Sequence, residues 1–204
     1  MNKKQTTKLI ILIIAAIGGT NVYSATQVEQ RVLSSVQPAV SIEKSATSVE
    51  SGNVNPQTGV IDKVLSSVFT LQTNGTDSDY DFIITSSIAA EGGSVSAYAE
   101  NGALLFGNIS QYPTAAAITD AKSGGSNNKN VIAYQVTANV TTPMTIEYKN
   151  GYGKYGDCYV IKVNESNGGS VTHILNQNPM PGSYSIQDQS GTYKSTVTFT
   201  AVSK

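Results

Sequence analysis

The sequence predicts an all-β protein folded as an antiparallel sandwich. Three observations carry that prediction. Apolar residues recur at every second position in segment after segment, and turn-forming Gly, Asn and Pro pairs separate those segments at short intervals. The polar positions are filled with hydroxyls and amides instead of charges. Of 204 residues, 79 are Ser, Thr, Asn or Gly and 13% are charged, about half the charged share of an ordinary globular chain. Val, Ile, Thr and Tyr are plentiful; they suit a pleated, half-buried surface and set the chain apart from a disordered one.

Residues 1–24 read as a signal peptide. Lys3, Lys4 and Lys8 precede the apolar run LIILIIAAI at 9–17, and Val22 and Ser24 stand at −3 and −1 of a cleavage point before Ala25. The run is shorter than the ~20 residues that span a bilayer, so fold reasoning starts after it. An uncleaved membrane anchor is the other reading. Beyond residue 24 the chain has ten Lys+Arg and 14 Asp+Glu, a net charge of −4. With no basic excess to neutralise phosphates, no nucleic-acid partner is expected.

Residues 25–44 form an N-terminal extension ahead of a domain placed at 45–204. Val28, Val32, Val36, Val40 and Ile42 share one parity, as in a strand with apolar knobs. Val28, Val32, Leu33 and Val36 also line up on a helix face. Pro38 stops a helix from reaching Ile42, and Ser34, Ser35 and the valines favour extended structure.

Strands are expected in 64–73, with either Val68 or the Phe69/Leu71 pair inward, and in 80–88, where Tyr80, Phe82, Ile84, Ser86 and Ile88 alternate. Val95, Ala97 and Ala99, then Asn101-Gly102, then the apolar run 104–106 give a hairpin signal. Residues 114–122 suggest one turn of helix. Ile132, Tyr134, Val136, Ala138 and Val140 alternate, and 158–163 and 171–175 give two more strands around the polar stretch 164–169. In the last segment, 191–204, Tyr193, Val197, Phe199 and Ala201 fall on one face and five Thr or Lys on the other, the pattern of a strand with one buried face.

Residues suited to catalysis are scarce. His173 is the sole His and Cys158 the sole Cys. No Gly-x-Ser-x-Gly elbow occurs, and one His with one Cys makes neither a zinc site nor an internal disulfide. Cys158 is expected as a buried thiol, with an intermolecular bond as the alternative. Asp77, Asp79 and Asp81 form a D-x-D-x-D run, but Phe82 stands where a calcium loop needs Gly. No catalytic residue, metal or cofactor is therefore assigned, and the chain is not read as an enzyme. Tyrosine is the enriched functional type, 11 against four Phe. Tyr148, Tyr152, Tyr155 and Tyr159 cluster among Gly and Lys. Tyr152 and Tyr155 are candidate receptor contacts, with loop packing as the plainer reading.

An alternating extension after a signal, a Thr/Ser/Asn/Gly-rich β-domain and a closing Gly191-x-Tyr193-x-x-x-Val197-x-Phe199 strand resemble a bacterial chaperone–usher fimbrial subunit, a pilin. The chain departs from many pilins in lacking an early Cys pair and an aromatic just before its C-terminus. The resemblance implies an immunoglobulin-like antiparallel sandwich that is incomplete and completed by a donor strand. Export through the periplasm, a place in a cell-surface fimbrium and a role in bacterial adhesion follow. It implies a periplasmic chaperone, an outer-membrane usher and other copies of itself or related pilins as partners, with a host glycan or protein as a further receptor. Val28, Val32, Val36 and Val40 would be the donor knobs, entering a neighbouring subunit by β-augmentation. The strand holding Tyr193, Val197, Phe199 and Ala201 would line the recipient groove and meet the chaperone. Residues 28–40 as the domain's own first strand, and the chain as a stand-alone secreted adhesin, are the competing readings.

Overall fold

Two antiparallel sheets face one another across a shared apolar core. The computed structural model describes residues 37–44, 52–55, 57–125, 129–164, 168–185, 188 and 191–204. The first sheet holds β1 (Val40–Lys44), β2 (Ser66–Thr73), β9 (Gly168–Pro179), β6 (Val131–Val140), β5 (Leu104–Asn108) and β10 (Tyr193–Lys194), in that spatial order. The second runs β11 (Thr196–Ser203), β3 (Tyr80–Ala90), β8 (Cys158–Lys162) and β7 (Thr145–Lys149), with β4 (Gly93–Ser96) also on β3. The all-β sandwich expected from the alternation is the observed architecture.

The alternating segments bury the face they predict. On β3, Phe82, Ile84 and Ile88 are fully buried with Ser86 between them. On β6, Ile132, Tyr134 and Val136 point inward. On β2 the inward pair is Phe69 and Leu71, not Val68: Leu71 is completely buried and Phe69 packs on the core. The short helix α1 (Ala115–Lys122) is capped by Thr114, whose Oγ1 accepts from the Ala117 N–H at 3.1 Å, a standard helix start. It buries Ala117, Ile118 and Ala121 and lies against β6.

Three elements differ from the sequence reading. The Asn101-Gly102 turn forms, closed by the Gly102 N–H donating to the Ala99 carbonyl at 2.9 Å, but its flanks join different sheets. β4 pairs with β3, β5 pairs with β6, and only the bridge Tyr98↔Leu104 links the two arms. Gly is required here: φ is +78°, and a Cβ would lie 2.6 Å from the Tyr159 Oη. β7 takes up Tyr148, which the sequence reading groups with a Tyr-rich loop, and pairs it with Tyr159 on β8. The segment 191–204 is two strands, not one. Tyr193 and Lys194 pair with Asn108 and Gly107 on β5, whereas Thr196–Ser203 pair with β3. The chain crosses between sheets at Ser195. A strand that changes sheets keeps the same residues facing the common core, so period-two alternation reads straight through the corner.

The extension enters this fold. Val40–Lys44 form β1, paired in register with β2, so that Val40 lies opposite Thr73 and Ile42 opposite Leu71. Among the described residues no helix is long and apolar enough to cross a membrane.

Candidate functional site

Four of the residues singled out for strand exchange, Val40, Val197, Phe199 and Ala201, lie at two sheet edges. Among the described residues β1 pairs only with β2, and β11 only with β3. β1 and β11 approach one another without forming a ladder. Their inward rows are apolar: Val40 and Ile42 on β1, Val197, Phe199 and Ala201 on β11. Phe199 is nearly buried, whereas the other four are half-buried. Half-buried apolar side chains beside two strand edges can accept a further strand, whose backbone would pair with the unpaired groups.

The corner is held from both sides. The Asn74 side chain holds the segment leading into β1, its Oδ1 accepting from the Ala39 N–H and its Nδ2 donating to the Gln37 carbonyl at 3.1 Å. The Tyr80 hydroxyl donates to the Pro38 carbonyl at 3.0 Å. Lys204 closes the end of β11, donating its N–H to the Asp79 carbonyl at 3.0 Å and pairing with Asp81 at 3.4 Å. Inside, Phe69 and Phe199 pack edge to face.

The predicted site residues separate into groups. Val28, Val32 and Val36 lie outside the described residues. Val40 lies on β1, in the chain's own sheet. Val197, Phe199 and Ala201 share β11, opposite Ser86, Ile84 and Phe82 of β3. Tyr193 does not join them; it sits on β10 at the far edge of the other sheet, where burial pushes its phenol up to about 12.

Tyr152 precedes and Tyr155 ends the 3-10 turn Gly153–Tyr155, their rings stacked at 6.1 Å and 16°. They pack over Ile83, Cys158 and Val160, a small apolar cluster separate from the main core. Ile83 is thus buried on the face of β3 opposite Phe82 and Ile84. The Lys154 ammonium lies 5.1 Å from the Tyr155 ring centroid. Cys158 is fully buried beneath this lid, and its thiol is pushed up to about 11 by burial, with Asp157 adding to the effect. A thiol held protonated is a poor nucleophile and metal ligand.

His173 lies inside the sandwich against Tyr98 and Tyr159, with ring centroids at 6.3 and 4.9 Å. Its Nδ1 is 3.4 Å from the Tyr98 hydroxyl. Burial holds the imidazole neutral, down to about 4. This is a packed core histidine within an aromatic cluster completed by Tyr148. Two of the three D-x-D-x-D carboxylates have protein partners: Asp79 accepts from the Thr76 N–H at 2.8 Å and Asp81 pairs with Lys204. Comparison of the chain with protein-family models, with curated proteins and with solved structures finds no match.

Sequence reasoning missed the polar cleft beside α1, lined by residues from the β3–β4 turn, the β5–α1 loop, α1 itself and the residues just before β6. Its parts are scattered over some 40 positions and carry no shared motif.

Proposed function

We propose that this protein is a structural subunit of a surface fimbria, assembled by strand exchange after export through the periplasm and serving adhesion. The observation that supports the reading is the pair of edges at β1 and β11, each lined by half-buried apolar side chains. The donor is the extension, with Val28, Val32 and Val36 as its knobs. Val40 belongs to the strand that frames the acceptor, and so leaves the donor set. Each valine buried in a neighbour contributes about 1.5–3 kcal/mol, and three such knobs with a row of backbone hydrogen bonds hold one subunit to the next. Before assembly a periplasmic chaperone covers the same edges, and an outer-membrane usher passes the subunit on to other copies or related pilins.

Deletion of residues 25–36 tests this reading. The chain beginning at Ala25 is expected to give heat-sensitive ladders on detergent gels. The chain beginning at Gln37 is expected to keep its fold and remain monomeric. Ladders of equal length from both would overturn the reading.

A further inference from the structure

The cleft beside α1 has no part in strand pairing. It is a half-open cleft of about 480 Å³, a volume within the range of ordinary small-ligand sites. Glu91, Gln111, Tyr112, Thr114, Lys129 and Asn130 line it. Its walls are fixed by hydrogen bonds. The Glu91 N–H donates to the Pro113 carbonyl at 3.0 Å, tying the β3–β4 turn to the β5–α1 loop. The Asn108 Oδ1 accepts from the Ser110 and Gln111 N–H groups at 2.8 and 3.2 Å. The Asn130 N–H donates to Asp188 Oδ1 at 2.9 Å.

Its chemistry is specific. Tyr112 is 51% exposed although its ring is large and apolar. Around it stand two carboxamides, Gln111 and Asn130, which both donate and accept. Glu91 accepts and Lys129 donates, so the two charges cancel. An exposed aromatic face rimmed by amides and one carboxylate matches a pyranose, which offers an apolar C–H face and a ring of hydroxyls.

We propose that this cleft binds a neutral saccharide, with Tyr112 as the stacking platform and Glu91 and Gln111 meeting its hydroxyls. An acidic sugar is disfavoured because Lys129 is offset by Glu91. The proposal rests on the adhesive part of the function proposed above, yet it is read on the single subunit, so failure of fibre assembly and failure of sugar binding are separable. The same sugar is carried by glycolipids and by glycoproteins.

The test is binding of the purified chain beginning at Ala25 to immobilised neutral, sialylated and sulfated oligosaccharides, each on a lipid and on a protein carrier. Retention of a subset of neutral sugars is expected. Retention on both carriers makes the sugar alone the ligand; retention on one carrier identifies the source. Tyr112→Ala is expected to weaken binding by about tenfold or more with an unchanged melting temperature, and Tyr112→Phe to stay within about twofold, since the ring and not the hydroxyl stacks. Failure to bind any neutral sugar, retention of acidic sugars only, or full binding by Tyr112→Ala would overturn the proposal.

Discussion

Phe199 on β11 meets Phe69 on β2 edge to face, with ring centroids 5.7 Å apart and planes at 75°. The contact joins the two sheets close to where β1 approaches β11, so it sets the floor on which a further strand would rest. Phe199 is 9% exposed, and Phe199→Ala removes a nearly buried ring. A loss of about 3–5 kcal/mol of unfolding free energy is expected from the lost burial and the cavity left behind. Phe199→Leu should cost much less, because most of the volume is kept. Urea denaturation of the two variants measures both.

His173 makes stability depend on pH. The folded chain holds its imidazole down to about 4, against an ordinary value of 6.5. Between those values the unfolded chain binds the proton and the folded chain does not. Stability is therefore full above about pH 6.5 and falls as pH drops toward 4, by about 3 kcal/mol in all. His173→Gln should flatten that part of the profile, whatever it does to the plateau. Urea midpoints between pH 4 and pH 8 for both proteins check the slope.

Asn74 ties the start of β1 to the turn after β2 through the Ala39 N–H and the Gln37 carbonyl. Asn74→Ala should release those groups at a cost of about 1 kcal/mol. Amides of residues 39–44 should then exchange faster, with the core strands unchanged. Exchange measured peptide by peptide distinguishes this local loosening from global destabilisation.

The parts of the fold that alternate over many residues were legible. β3 and β6 bury the very face their parity indicates, because one residue in two must meet the other sheet. Residues 193–201 show the limit of the same rule. Tyr193 and Phe199 both face inward, yet they belong to different sheets, and parity contains nothing about which neighbour a strand pairs with. The Asn101-Gly102 turn was read correctly as a turn and incorrectly as a simple hairpin for the same reason. Of the candidate site, Val197, Phe199 and Ala201 were found as a row. The placement of Val40–Lys44 within the chain's own sheet was left open by a pattern that fits donor and first strand alike. The cleft around Tyr112 is not legible in the sequence, since the residues that line it come together only when the β3–β4 turn, the β5–α1 loop and the residues just before β6 converge.

The central claim is that the edges at β1 and β11 receive the extension of another copy. Binding of a synthetic peptide of residues 25–36 to the chain beginning at Gln37, followed by fluorescence anisotropy, tests it most directly. The account predicts saturable binding with slow release, lost when Val28 and Val32 of the peptide are both replaced by Asp and weakened when Ala201→Arg obstructs β11. No binding, or equal binding by the Asp-substituted peptide, would contradict it.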